Sequence, residues 1–147
     1  MIFTRGSRAL TSADLDDVEN SLGIDLPADL KDFYIRHNGG RPNHRFFPAN
    51  GDLYGIDRFL AMRTNDRNIG FEEAYRVLAK NTPEFPRDCI PFAVDDSGDY
   101  FVYSVRADSF GYIMFNQSDY VLDPDRFLVV LAPNLSAFLI SLTDDRR

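Results

Sequence analysis

The first part of the chain repeats apolar residues at the spacing of a helix. Leu15, Val18 and Leu22 recur three or four positions apart, with mostly polar residues between them, as on one face of an amphipathic helix. The preceding segment 11–14 begins with Thr and ends with Asp, which is a capping-box pattern. Gly23 is a typical residue at a helix end, so we predict a first helix between these two signals.

A second helix is predicted between Pro27 and segment 38–40. Pro27 suits the first helical turn, where a missing N–H costs nothing. Segment 38–40 is Asn-Gly-Gly, which tolerates positive φ angles, so we expect the helix to stop there. These signals concern packing and capping, and they favour a binding scaffold over an enzyme. The largely apolar face of this helix consists of Leu30, Phe33, Tyr34 and His37.

The middle of the chain gives weaker signals. We predict a short strand at Arg45–Phe47, a strand at Leu53–Leu60 and an exposed loop at Thr64–Gly70, which is rich in Asn, Asp and Arg. A third helix is predicted at Phe71–Lys80, because apolar residues recur there at helical spacing.

The second half of the chain consists of short apolar runs bounded by turn residues. Strands are predicted at Ile90–Val94, Tyr100–Val105, Tyr112–Phe115 and Phe127–Leu131. The intervening segment Asp95–Asp99 has short polar side chains and a glycine, which is turn chemistry. The first two strands should therefore form a hairpin.

A closing helix completes the pattern, with Asn134 or Ser136 as its cap. Helices at the N-terminus, in the middle and at the C-terminus, with strands clustered between them, predict an α+β fold. We expect one domain over residues 1–147, with a core at about 11–142, around a central, mainly antiparallel sheet of about five to six strands. The apolar stripe of the closing helix consists of Leu135, Phe138, Leu139 and Leu142.

The chain is acidic, with 23 Asp and Glu against 16 Lys and Arg in 147 residues and a net charge of −7. Because basic side chains supply most nucleic-acid affinity, we expect no direct binding of nucleic acid. A basic protein partner fits this charge, although solubility alone would also explain it. The single cysteine, the absence of a long apolar run and the polar N-terminus predict a cytoplasmic protein without membrane contact.

Candidate chemistry is sparse. Asp95–Asp99 is rich in carboxylates, but an EF-hand needs Gly at position six and Glu at position twelve, whereas here Gly is fourth and Arg106 is twelfth. Cys89 has no base beside it in the sequence and is interpreted as a buried structural thiol. His37 and His44 lack the spacing of zinc ligands. We therefore expect no enzyme, no catalytic residue, no cofactor and no metal.

The aromatic residues of the predicted hairpin divide between two faces of the sheet. Strand alternation puts Tyr100 and Val102 on one face and Phe101, Tyr103 and Val105 on the other. Helices should cover one face. The other is either an exposed Tyr-rich patch, which would suit an interface, or a second face covered by helices.

Two segments together resemble the SUKH superfamily, which includes cell-wall assembly regulators, killer-toxin-resistance-like domains and bacterial toxin immunity proteins. One segment runs from Leu26-Pro27 to Asn38-Gly39-Gly40, and the other combines Ile90–Asp95 with Gly98–Phe101. The resemblance covers roughly residues 11 to 142. It implies an α+β domain that binds and neutralises a cognate bacterial polymorphic or contact-dependent toxin, often a nuclease. Fungal relatives imply the alternative of a non-catalytic regulatory scaffold that binds a non-toxin protein.

A basic toxin domain would bind the acidic loops of this protein, and we expect this protein to be a monomer or a weak dimer.

A third hypothesis is a small hydrolase or ligand-binding protein with a site built from scattered carboxylates. The predicted partner-binding residues lie in the turn after Val94 and in the later loop before Phe127; they are Asp95, Asp96, Asp99, Tyr100, Asp119, Tyr120, Asp123 and Asp125.

Overall fold

The computed structural model describes residues 1–64 and 68–144. Positions 65–67 of the predicted loop at Thr64–Gly70 lie outside the described residues. The helices are α1 Ser12–Leu22, α2 Ala28–Arg36, α3 Phe71–Ala74 with a π-helix at Tyr75–Lys80, a 3₁₀-helix at Ser118–Tyr120, α4 Pro124–Phe127 and α5 Leu135–Ile140. The strands are β1 Phe3–Thr4, β2 Arg41–Pro42, β3 Phe46–Ala49, β4 Asp52–Gly55, β5 Arg58–Phe59, β6 Cys89–Val94, β7 Tyr100–Ser104, β8 Ile113–Asn116 and β9 Leu128–Ala132.

The main sheet has five strands in the order β5-β6-β7-β8-β9. Every neighbouring pair is antiparallel, so consecutive strands lie side by side. β1 pairs with β2, and β3 pairs with β4, in two small additional sheets. This architecture confirms the predicted α+β fold around an antiparallel sheet.

The two faces of the main sheet bury two apolar clusters. Phe101 and Tyr103 of β7 belong to the large cluster beneath the helices, whereas Val102 belongs to a second cluster with Phe85 and Met114. The predicted alternation is confirmed. The exposed Tyr-rich patch is not present, because Tyr103 is buried and Tyr100 is half-buried. The second face is covered at Val102 and Met114 by Phe85 and by partly buried neighbours that include Leu78 of the π-helix. At β9 it is open, since Val130, which pairs with Met114, is 51% exposed.

Cys89 lies in the second cluster and is buried. Burial raises the pKa of its thiol to about 11, and this effect outweighs the opposing influence of Arg106. A thiol that stays protonated at neutral pH is a poor nucleophile, which agrees with the interpretation of Cys89 as a structural residue.

Helix α1 begins and ends as its sequence predicts. The Thr11 hydroxyl accepts a hydrogen bond from the Asp14 N–H at 3.2 Å, and the Thr11 N–H donates to the Asp14 carboxylate at 2.9 Å. Arg8 also donates to Asp14. The hydrogen bonds from Arg8 and Thr11 keep the pKa of the Asp14 carboxyl well below its usual range. Gly23 ends the helix with a φ of 69°.

Helix α2 differs from its prediction at both ends. Pro27 precedes the first turn as the N-cap residue, and the helix ends at Arg36. His37 is extended, with a φ of −141°, and its ring stacks on Phe3 at 4.2 Å between centroids. The positive φ angles occur at Gly39 and Gly40, beyond the helix end, so segment 38–40 does not act as a simple helix cap.

Segment 38–40 is instead the place where three parts of the chain meet. The buried Asn38 amide donates to the Arg8 carbonyl and to the Met62 carbonyl, at 2.9 Å in both cases, and its oxygen accepts from the Met62 N–H at 2.8 Å. A Cβ on Gly39 would lie 2.6 Å from the Ala61 side chain. A Cβ on Gly40 would lie 2.6 Å from the Thr4 carbonyl oxygen. Close backbone approach explains both glycines.

Other element boundaries also differ from the predictions. Leu53–Leu60 is not one strand, because the chain passes from β4 to β5 and so from one sheet to another. Only Phe71–Ala74 of the predicted third helix is α-helical, and the π-helix that follows still packs Tyr75 and Leu78 against the core. Phe127 closes helix α4 and does not begin the last strand.

Replacing Asn38 by Ala should lower the free energy of unfolding by about 2–4 kcal/mol, because each buried polar group left without a partner costs about 1–3 kcal/mol. Asn20 is exposed on α1, so Asn20→Ala should change stability by less than about 0.5 kcal/mol. Urea unfolding followed by circular dichroism measures both. Equal stability of the two variants would contradict the bridging role of Asn38.

Candidate partner-binding surface

The main sheet brings the two predicted acidic segments to one end. Tyr100 pairs with Asn116, and Asn116 pairs with Leu128. The turn 95–99 before β7 and the segment 117–127 between β8 and β9 therefore lie next to each other. We call these two segments together the acidic end.

Two of the predicted aspartates, Asp95 and Asp99, form hydrogen bonds within the acidic end and stabilise it. The Asp95 carboxylate accepts hydrogen bonds from the Ser97 N–H at 2.9 Å and the Asp99 N–H at 2.8 Å, which closes the turn. The Asp99 carboxylate accepts from the N–H and the hydroxyl of Ser118 at 3.1 and 3.0 Å. Asp99 thus ties one acidic segment to the other.

Asp96 lies at the tip of the turn, with its side chain 72% exposed. The Arg45 guanidinium approaches it to 3.9 Å, but the same Arg45 nitrogen donates to the Ile56 carbonyl at 2.8 Å. An ion pair this long and this exposed contributes little to stability. Asp96 therefore remains available to a partner, although Arg45 offsets part of the charge at this tip.

The two predicted tyrosines are held by their neighbours. Tyr100 packs against the second apolar cluster, and burial raises the pKa of its hydroxyl. The Tyr120 ring lies under the Arg126 guanidinium, 3.9 Å from its centroid. Arg126 also donates to the Tyr120 hydroxyl at 2.8 Å. Both tyrosine side chains are therefore engaged with neighbours within this protein.

Segment 117–127 is closed at its base by one backbone hydrogen bond and two bonds from side-chain amides. The Gln117 N–H donates to the Phe127 carbonyl at 2.9 Å, and the Gln117 amide donates to the Arg126 carbonyl at 2.6 Å. The Asn116 amide adds a further bond to the Phe127 carbonyl at 3.0 Å. The two ends of the segment are therefore fixed to each other and to the sheet.

The outer part of this segment exposes both charge and apolar surface. Asp119, Asp123 and Asp125 are exposed. Between them, the Val121 residue is 43% exposed and the Leu122 residue is 95% exposed. A surface with acidic side chains around an apolar point is suited to binding a basic protein.

Seven of the eight predicted residues lie at the acidic end, and Tyr100 directly follows its turn as the first residue of β7. Their roles differ. Asp96, Asp119, Asp123 and Asp125 face solvent, whereas the other four shape the surface. Sequence reasoning missed the residues Ser118, Val121, Leu122 and Arg126. Val121 and Leu122 could have been identified from the sequence, because this apolar pair fits no helical stripe and no strand and lies between aspartates.

Within the described residues, no group of three or more His, Cys, Asp and Glu side chains could hold a metal ion. No helix in residues 1–64 and 68–144 is long and apolar enough to cross a membrane. A cavity of about 220 Å³ lies elsewhere and is lined partly by Arg41, Asp57 and Arg58. Arg41 and Arg58 each form an ion pair with Asp57 at 3.2 Å, so the Asp57 carboxylate is already paired with these two arginines.

The fold and this surface define an α+β domain that exposes acidic loops at one end of an antiparallel sheet. The model of the SMI1 / KNR4 family (SUKH-1) matches residues 9–141, and the chain belongs to this family. This match confirms the resemblance of the two sequence motifs to the SUKH superfamily. SUKH domains are generally non-catalytic immunity or regulatory proteins. No curated protein and no solved structure matches the chain.

Replacing Asp99 by Ala should lower the free energy of unfolding by about 1–3 kcal/mol, because it removes charge-assisted hydrogen bonds to Ser118. Asp96→Ala removes the same charge from the neighbouring tip and should change stability by less than about 0.5 kcal/mol. Urea unfolding measures the difference. Amide NMR shifts should also change in segment 117–127 for Asp99→Ala, and unchanged shifts there would show that the two segments are not coupled.

Proposed function

We propose that this protein is an immunity protein that binds and neutralises a cognate bacterial polymorphic or contact-dependent toxin. The observation that carries the proposal is the gathering of exposed Asp96, Asp119, Asp123 and Asp125 at one end of a SUKH domain. Such an end complements a basic protein surface. A nuclease toxin fits well, because the surface with which a nuclease binds phosphates is itself basic.

Binding would rest on complementary charge and on a surface already fixed in shape. Opposite charges speed the encounter of two proteins and orient them, and a fixed surface loses little conformational entropy on binding. An interface of roughly 800 Å² on each partner is sufficient for a stable complex. Contact over the toxin's active site and contact at a neighbouring exosite would both neutralise it.

The protein would act in the cytoplasm of the producing cell, as a monomer or a weak dimer and without catalysis of its own. The alternative is a regulatory scaffold that binds a non-toxin protein, since regulatory proteins also occur among SUKH domains. The neighbouring gene separates the two proposals. A large secreted protein encoded beside this chain favours immunity.

Co-expression with the toxin encoded immediately upstream tests the proposed function. We expect the chain to restore growth and to co-elute with the toxin domain on a sizing column. An unrelated toxin from another locus serves as the specificity control and should kill cells regardless of this chain. Undiminished killing by the upstream toxin, together with no complex on the column, would refute the proposal.

Charge at the acidic end should govern the rate of association. The triple variant Asp119→Asn, Asp123→Asn and Asp125→Asn should slow binding to the toxin domain by about tenfold at low salt, and the difference should shrink at high salt. Surface plasmon resonance measures these rates.

The matched control for this charge variant removes three exposed charges elsewhere, by Asp16→Asn, Asp32→Asn and Glu84→Gln. It leaves the same net charge but a complete acidic end. If both triple variants slowed association equally, net charge would be responsible and the acidic end would have no special role.

A further inference from the structure

Leu122 occupies a position where a leucine has no structural reason to be. Its residue is 95% exposed, compared with 82% for Ile140, the next most exposed large apolar residue among those described. The Asp123 N–H donates to the Tyr120 carbonyl at 2.9 Å, so Val121 and Leu122 are the central residues of a turn. Such positions usually carry Gly, Pro, Asn, Asp or Ser.

The turn that carries Leu122 is held from both sides. Val121 has a φ of −56° and a ψ of −28°, as in a type I turn. After the turn, the Asp123 carbonyl accepts from the Arg126 N–H at 3.1 Å and from the Phe127 N–H at 2.8 Å. Because the backbone is fixed in this way, binding of the side chain that it carries orders little of the main chain, which reduces the entropy cost of binding.

Charge around the turn decides what kind of partner it fits. Exposed Asp119, Asp123 and Asp125 surround Leu122 in the sequence. A second copy of this chain would bring the same aspartates against each other, and like charges across an interface are unfavourable. An anionic membrane surface would repel them as well. A basic protein with an apolar pocket satisfies both the leucine and the aspartates.

We propose that Leu122 is the apolar anchor of the acidic end and enters a hydrophobic pocket, rimmed by basic side chains, on the cognate toxin domain. This inference rests on the proposed function, because it takes the toxin domain as the partner. The aspartates then speed the encounter, and the leucine slows dissociation. Most interfaces concentrate their binding energy in a few side chains near their centre.

The test uses the full chain and a catalytically inactive form of the upstream toxin domain, with rates measured by surface plasmon resonance. Leu122→Ala should raise Kd by about ten- to a hundredfold, the value of burying most of a leucine side chain. The change should lie in the dissociation rate. Ile140→Ala removes another highly exposed aliphatic group, 82% exposed on α5, and should leave Kd within about twofold of wild type.

Equal urea midpoints for the two variants and wild type will show that folding is unchanged, as expected for exposed side chains. If wild type and Leu122→Ala bind the toxin domain equally well, the anchor is refuted and the proposed function stands. If wild type does not bind, the proposed function fails and the anchor with it. If wild type is a dimer and the Leu122→Ala variant is a monomer, Leu122 mediates self-association and the inference is wrong.

Discussion

The close approach of three backbone segments at Asn38, Gly39 and Gly40 is the constraint on which the rest of the fold depends. The Asn38 amide joins the end of α2 to the chain before α1 and to the chain after β5. Tyr34 adds a bond from its buried hydroxyl to the Leu60 carbonyl at 2.7 Å. The helical layer is thereby fixed against the edge of the main sheet, and a buried amide with all its groups paired favours one arrangement over others.

A second hydrogen bond connects the helices to the centre of the sheet. The Tyr103 hydroxyl donates to the Asp29 carboxylate at 2.6 Å, so the start of α2 is anchored to β7. Because β7 begins at the turn that carries Asp99, the position of the acidic end follows from the packing of the core. Core packing and exposed charge are thus separated in this domain: the helices hold the sheet, and one end of the sheet carries the exposed aspartates.

Local sequence patterns correctly predicted the structural features that depend on residues close together in the chain. The α1 cap, the strand alternation and the Asp95 turn depend on residues within a few positions, and all three agree with the structure. Segment 38–40 was misread because its side-chain partners are distant in the sequence, and no local capping rule detects them. The meeting of Asp99 with Ser118 required the register of β7 with β8. The exposure of Leu122 required the whole fold, since an apolar residue in a loop is ambiguous until its surroundings are known.

The closed base of segment 117–127 has a consequence for how the protein can diversify. Gln117 and Phe127 are bonded across the base, so the residues between them form an insertion on a hairpin whose register is set below it. Residues at its tip can change in number and kind without shifting a strand, because connecting loops tolerate such changes better than the elements they join. Under the proposed function, a change of partner would then require new residues in this one short segment and no change in the strands below it.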